Sequence, residues 1–132
     1  VSKIEDIHSI LVNDLAIEKN LRKRRVGISG TNYKPLDNEF QIKEALSNMC
    51  ELINGKESIF EKALLALVLI SYIQPFMDGN KRTGYVLMRL FLKKNGMDII
   101  ADEETKYQFV IDVASGIKRY DDILIWLEDY VE

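Results

Sequence analysis

The sequence predicts an all-α domain that carries one small β-hairpin. The first observation is an almost wholly apolar run, Ile59–Ile73, which is long enough for about four helical turns and must lie at the centre of the protein. The second is a set of neighbouring stretches in which apolar residues recur at helical spacing. The third is the stretch 26–33, where glycines separate β-branched residues, a pattern more typical of a short hairpin than of a helix.

The predicted helices begin and end at recognisable signals. Ser2-Lys3-Ile4-Glu5 and Ser58-Ile59-Phe60-Glu61 both have the form of a capping box. Asn54-Gly55 and Asn95-Gly96 terminate the helices that precede them. We expect the apolar faces to consist of Ile4, Ile7, Ile10, Leu11 and Leu15; Ile42, Ala45, Leu46, Met49, Leu52 and Ile53; Val86, Leu87, Leu90 and Phe91; Val110, Val113, Ala114 and Ile117; and Ile123, Leu124, Trp126, Leu127, Tyr130 and Val131, with Trp126 as a core anchor.

Length and composition limit the class of protein. A chain of 132 residues that is 47% hydrophobic can bury a core without disulfides, so we expect one domain over residues 1–132, and Val1 in place of methionine indicates a fragment of a longer protein. The single cysteine, Cys50, suits a small core residue in a reducing compartment, and we expect the cytoplasm. A net charge of −3 argues against a nucleic-acid-binding protein, and no stretch has the length and apolarity of a membrane span.

The connection between two apolar helices is unusually rich in chemistry. Asp78 to Arg82 supply a carboxylate, a glycine, an amide and two cations in five consecutive residues. Gly79 can adopt a positive φ, and the helix that follows it begins with N–H groups that lack partners. Together with Lys81 and Arg82 these donors can bind phosphate, while Asp78 can hold Mg²⁺ against phosphate oxygens. The alternative is a polar turn before a solvated helix start, but cations there oppose the helix dipole unless an anion is bound.

This stretch contains no Walker-type P-loop, because it lacks the G-x-x-x-x-G-K-[ST] pattern. It resembles the signature of the Fic/Doc family, His-x-Phe-x-Asp/Glu-Gly-Asn-Gly/Lys-Arg, and the similarity extends over roughly Ile4 to Gly96. Gln74 stands where the family has its histidine, and Tyr85 stands where many AMP-transferring members have a second arginine. Lys81-Arg82-Thr83 is similar to the Doc branch. The matching residues are Phe76, Asp78, Gly79, Asn80, Lys81 and Arg82.

The resemblance implies a Fic-type helical domain, with the motif (residues 74–82) in a central helix-loop-helix, and a transfer reaction. In the family the histidine is the general base for a target hydroxyl that attacks a nucleotide phosphate, as in AMP transfer from ATP. By resemblance, Gln74 and Arg82 hold the catalytic positions, Asp78 binds Mg²⁺, Phe76 supports the motif, and Gly79, Asn80, Lys81 and Arg82 bind the phosphates. Glutamine cannot accept a proton near neutral pH, and loss of a general base costs about 10²–10⁴-fold in rate.

The predicted hairpin resembles the flap of Fic proteins, which has the form Val/Ile-x-Gly-Ser/Thr-x-Tyr-x-Pro. In the family this edge docks a segment of the target protein by strand addition. A basic run, residues 19–25, leads into it and is either a solvated cluster or a surface for an anionic target. The flap residues that match are Ile28, Gly30, Thr31, Tyr33 and Pro35.

Two further features have a structural interpretation. His8, the only histidine, has no catalytic partners near it in the sequence, so we expect a structural role, on the face next to the apolar one. Ser47 to Glu51 fits five of the six positions of the inhibitory pattern in some Fic proteins, but Leu52 occupies the sixth. We therefore expect any inhibitory segment upstream of Val1 or on a partner chain.

Three hypotheses follow. The first is a Fic-type protein that binds a nucleotide and whose activity is weak or lost. The second is an active transferase in which water or a substrate group replaces the base, including a Doc-like phosphotransferase. The third is a non-catalytic module whose flap binds a partner peptide.

Overall fold

The computed structural model of the chain describes residues 2–13, 15, 19–23, 26–27 and 35–132. Over these ranges the fold is all-helical, as predicted, and its only β pairing is an isolated bridge between Ile99 and Val131. Of the predicted hairpin, residues 28–33, which include Ile28, Gly30, Thr31 and Tyr33, lie outside the described residues. The six helices are α1 (Ser2–Leu11), α2 (Glu39–Asn54), α3 (Ile59–Ile73), α4 (Asn80–Lys93), α5 (Glu103–Ala114) and α6 (Tyr120–Tyr130).

Helix α3 lies at the centre, as its apolar sequence predicts. It packs most extensively against α4 and also contacts α2, α5 and α6, while α1 packs on α4. Gly84 allows the close approach of α3 and α4, because a Cβ at this position would lie only 3.3 Å from the Cβ of Ile70. The close packing of these two helices fixes the loop that joins them, and this loop is the motif.

The core consists of two clusters on either side of α3. One fills the space between α3, α4, α5 and α6, where the ring of Trp126 stacks on Phe109 with centroids 3.7 Å apart. The prediction of Trp126 as a core anchor is confirmed. The second cluster joins α1 and α2 to α3 and includes Phe76 from the motif. The motif is therefore anchored in the core by one of its own side chains.

One predicted capping box is confirmed in part and the other is wrong. The Ser58 hydroxyl accepts a hydrogen bond from the backbone N–H of Glu61 at 3.4 Å and begins α3. At α1, Ser2 is already helical, so it is the first residue of the helix rather than its N-cap. Side chains that the sequence analysis did not single out, Asn38 and Asp102, cap α2 and α5.

Several residues predicted to face the core are exposed instead. The buried face of α4 consists of Gly84, Met88 and Leu92, spaced four residues apart, which turns Leu90 toward solvent with 47% of its surface accessible. Ile117 is exposed because α5 ends at Ala114, before it. The exposed residues for which the prediction was wrong are Ile10, Leu15, Leu52, Leu90 and Ile117.

The helices are too short or too polar to span a lipid bilayer throughout the part of the chain that the structure describes.

Candidate functional site

The motif is a tight loop bounded by two left-handed residues. Gln74 ends α3 with φ 50° and ψ 59°, and Gly79 precedes α4 with φ 81°. A side chain at Gly79 would crowd His8 and Val12, whose nearest atoms lie 3.3 Å from the position of a Cβ. The predicted positive φ of Gly79 is confirmed, and glycine meets both the conformational and the steric requirement.

Asn80 holds this loop together from inside. Its Nδ2 donates hydrogen bonds to the carbonyl of Phe76 at 2.8 Å and to Oε1 of Gln74 at 3.1 Å. Its Oδ1 accepts a hydrogen bond from the N–H of Phe76 at 2.9 Å. Because Asn80 is buried, these contacts satisfy polar groups that water does not reach. The Asn80 side chain thus shapes the loop.

Gln74 is also buried, and both ends of its amide have partners. Nε2 donates to the carbonyl of Ser71 at 2.8 Å, and Oε1 accepts from Asn80. An amide in this arrangement bridges α3 to α4. It has no titratable proton at neutral pH, so the side chain that lies at the head of the motif braces the loop but cannot act as a base.

His8 packs beneath the motif. Its ring stacks on Phe76 with the centroids 3.7 Å apart, and Nε2 donates a hydrogen bond to the carbonyl of Asp78 at 2.7 Å. Burial lowers the pKa of His8, against the opposing effects of this hydrogen bond and the Asp78 carboxylate. His8 is fully buried on the same face as Ile4, not on a neighbouring face as we expected. These contacts were not predicted because the residues that His8 contacts lie about 70 positions away in the sequence.

The N-terminus of α4 differs from those of α2, α3 and α5, each of which has a side-chain cap. Helix α4 has Gly79 at its N-cap position and therefore no side-chain cap. The N–H of Thr83 is the first to bond within the helix, to the carbonyl of Gly79 at 3.0 Å, so the preceding N–H groups have no helical partner. Lys81 and Arg82 are exposed in this first turn, where their charges oppose the helix dipole. An anion at this position would satisfy the donors and both cations.

These groups border an open cavity of about 300 Å³, here called the motif cavity. The motif forms one wall of it, and Leu15, Val26 and Gly27 form the other. Phe76 does not reach the cavity, because its ring lies fully in the core. The motif residues that line it are Gln74, Met77, Asp78, Gly79, Asn80, Lys81 and Arg82.

Asp78 is the one carboxylate among the described residues that line the motif cavity. It is exposed, and its Oδ1 accepts a hydrogen bond from the N–H of Gly79 at 2.7 Å. Across the described part of the chain, no three His, Cys, Asp or Glu side chains cluster as a metal site would require. Mg²⁺ commonly binds through one or two carboxylates together with phosphate oxygens and water, so a single exposed aspartate at the cavity is compatible with its chemistry.

A second cleft of about 390 Å³ lies between α4 and α5 and shares Lys81 and Arg82 with the motif cavity. Tyr85 lines it, with a buried hydroxyl that has no hydrogen-bond partner among the described residues, and burial raises the pKa of this group. Arg89 also lines the cleft and donates two hydrogen bonds to the Asp98 carboxylate, at 3.0 and 2.8 Å. This pairing lowers the pKa of Asp98 to about 2.

The basic run before the flap contains a residue that the sequence analysis missed. Lys19 and Lys23 are exposed, as expected for a solvated cluster, but the side chain of Arg22 is buried against the end of α3. Leu21 is its buried neighbour in this otherwise polar segment. The signal that could have identified Arg22 as buried is the apolar Leu21 beside it in an otherwise polar, basic segment. Arg24 and Arg25 lie outside the described residues.

The model of the Fic/DOC family matches residues 1–92 of the chain, which include α1 to α3, the motif and most of α4. The chain belongs to the Fic/DOC family. The match covers more than half of the sequence and ends at Leu92, the last buried residue of α4.

Solved structures of Fic proteins have a similar fold. The effector BepC of Bartonella tribocorum, solved with bound AMPPNP, is 16% identical, with a TM-score of 0.73 over 98% of this chain and 73% of that one. The N-terminal Fic domain of a Bep effector from Bartonella sp. AR 15-3 is 18% identical, with a TM-score of 0.67 over 99% and 70% of the two chains. A Fic family protein from Desulfovibrio desulfuricans is 17% identical, with a TM-score of 0.61 over 96% and 38%.

Proposed function

We propose that this protein binds a Mg²⁺-nucleotide such as ATP at the motif cavity, and that its capacity to transfer AMP to target hydroxyls is weak or lost. The observation that carries the proposal is the N-terminus of α4, which has no side-chain cap and has Lys81 and Arg82 in its first turn. A phosphate group satisfies such N–H donors and offsets the repulsion between the cations and the dipole. The BepC structure with AMPPNP supports a nucleotide as the source of that phosphate.

Each residue of the motif has its own role in the proposed binding of the nucleotide. The N–H groups at the start of α4 and the Arg82 side chain hold phosphate oxygens, and Lys81 adds a second positive charge. Asp78 would hold Mg²⁺. A bound Mg²⁺ ion neutralises part of the negative charge of the phosphates. Asn80, Phe76 and His8 keep the loop in the shape that presents these groups.

Transfer would require an acceptor hydroxyl on a target segment, which we place at the wall of the cavity formed by Leu15, Val26 and Gly27. The hydroxyl oxygen would form a bond to the α-phosphorus, the bond from that phosphorus to the bridging oxygen would break, and pyrophosphate would leave. The hydroxyl proton needs an acceptor. Gln74 supplies none, because its amide is neutral and both of its ends are hydrogen-bonded within the protein.

Calorimetry with ATP, in the presence and absence of Mg²⁺, tests the binding proposal. We expect weak binding that Mg²⁺ strengthens, loss of the Mg²⁺ effect in Asp78→Ala, and weaker binding in Arg82→Ala. Asp129→Ala and Lys43→Ala are matched controls, because both residues are exposed on helices outside the motif cavity and should leave the affinity unchanged. Absence of nucleotide binding at millimolar concentrations with Mg²⁺ would refute the proposal.

The Gln74→His variant tests the proposed reason for weak activity. Restoring an imidazole should raise transfer from ATP to protein hydroxyls by about 10²–10⁴-fold, the usual contribution of a general base. Gln74→Asn is the control, since asparagine enters the left-handed region readily but cannot accept a proton. Separate labels on the α- and γ-phosphates would identify the transferred group as AMP or phosphate. A histidine variant that binds nucleotide but transfers nothing would favour the peptide-binding module instead.

A further inference from the structure

Arg22 bonds to three consecutive carbonyls at the end of α3. Its Nη2 donates to the carbonyl of Ile73 at 3.1 Å, and its Nε donates to the carbonyl of Gln74. Its backbone N–H donates to the carbonyl of Pro75 at 2.9 Å. Only 1% of the Arg22 surface is accessible, so these contacts form where water does not compete.

The end of α3 explains why an arginine suits this position. The last carbonyls of a helix have no partners within it and form the negative end of the helix dipole. Gln74 adopts a left-handed conformation here and donates its own N–H to the carbonyl of Ile70, while its carbonyl and those of Ile73 and Pro75 accept from Arg22. A guanidinium is always charged and presents several N–H groups in one plane, so one side chain can bond to neighbouring carbonyls.

These contacts connect the two walls of the motif cavity. Arg22 belongs to the segment that leads to Val26 and Gly27 on one wall, and its partners belong to the loop that begins the other. Between Arg22 and the wall residues, 24 and 25 lie outside the described ranges. The residue whose carbonyl accepts from Nε is Gln74, which is itself one of the residues that line the cavity.

We propose that Arg22 is a positioning residue for the phosphate-binding motif. It holds the wall that contains Val26 and Gly27 in place relative to the wall formed by the motif. It also fixes the backbone of Gln74, from which the side chain of that residue projects. The proposal rests on the function proposed above, because its consequence is measured partly as nucleotide affinity. Arg22 is not among the residues that line the motif cavity, so its effect would pass through the carbonyls of Ile73, Gln74 and Pro75.

Two possible roles of Arg22, stabilising the fold only or positioning the motif, lead to different expected results. We expect Arg22→Met, which keeps part of the apolar stem and loses the guanidinium, to bind Mg-ATP at least tenfold more weakly at a temperature where it is fully folded. Arg22→Lys keeps the charge but not the planar set of donors, and should recover only part of the affinity. Leu127→Ala is the matched control, since it removes a fully buried side chain of the α5–α6 core, far along the chain from the motif. It should lower the melting temperature and leave the affinity of the folded protein unchanged.

A second measurement keeps the test independent of nucleotide binding and of the Met variant. In Arg22→Lys, the amide resonances of Gly79 and Asn80 should shift in two-dimensional NMR spectra, while those of α6 should not. Affinity equal to that of the parent in both folded Arg22 variants, or unshifted motif resonances in Arg22→Lys, overturns the positioning role. A parent protein that binds no nucleotide overturns the proposed function instead, and the resonances then decide the role of Arg22 alone.

Discussion

Replacing Asn80 by alanine removes three hydrogen bonds from the interior of the motif. The N–H and the carbonyl of Phe76 both lose their partner, and so does Oε1 of Gln74. Each unsatisfied buried polar group costs about 1–3 kcal/mol. Because some of these groups can recover a water molecule in the space that the asparagine leaves, we expect a total loss of about 2–5 kcal/mol. That is a large fraction of the roughly 5–15 kcal/mol by which domains of this size are stable.

Urea denaturation followed by the fluorescence of Trp126, the only tryptophan, measures this loss. Asn95→Ala is the matched control, because Asn95 is exposed and its Nδ2 donates one hydrogen bond, to the carbonyl of Phe91 at 3.0 Å. We expect that variant to lose about 0.5 kcal/mol or less. An Asn80→Ala variant that loses no more than the Asn95 variant would show that these hydrogen bonds do not hold the motif in its observed shape.

Three other predictions concern the packing and the ionisation around the motif. Gly84→Leu should destabilise the protein by about 1–3 kcal/mol in the same denaturation assay, because the leucine side chain would collide with Ile70. Gly55→Ala is the control and should change the stability little, because the atoms nearest to the added Cβ lie at 3.6 Å. Since burial lowers the pKa of His8 from 6.5, its contribution to stability should be complete above pH 6.5 and decline as the pH falls toward the folded-state pKa. His8→Gln should flatten that part of the pH profile, and an unchanged slope would contradict the assignment. Tyr85→Phe should raise the stability by about 1 kcal/mol, because it removes a buried hydroxyl with no partner among the described residues, and a loss of stability would reveal a partner.

Local signals predicted the helices and the motif because their causes lie within a few residues of one another. The apolar run of α3, the cap at Ser58 and the positive φ of Gly79 each follow from short-range chemistry. The orientation of α4 was predicted less well. Its apolar residues surround most of the helix, and the side that packs was decided by Gly84, where the absence of a side chain permits contact with α3. A pattern of hydrophobic residues does not identify a glycine at which two helices pack closely.

The support of the motif could not be predicted, because it depends on contacts between distant parts of the chain. His8 bonds to the carbonyl of Asp78, and Arg22 bonds to the carbonyls that follow α3. A backbone carbonyl carries no sequence signature, so nothing in the residues near His8 or Arg22 identifies their partners. A basic run also does not reveal which of its members is buried. The motif residues that line the cavity were therefore accessible to sequence analysis, whereas the distant residues that support the motif, His8 and Arg22, were not.

The left-handed backbone of Gln74 affects how this site can change during evolution. Asparagine, aspartate and histidine enter this region of φ and ψ more often than other residues with side chains, whereas β-branched residues rarely do. A histidine can therefore occupy position 74 with the backbone that glutamine already adopts here. Every glutamine codon differs from a histidine codon only in its third base. Under the proposed function, a single nucleotide substitution separates a nucleotide-binding protein from one with a proton acceptor at the head of its motif.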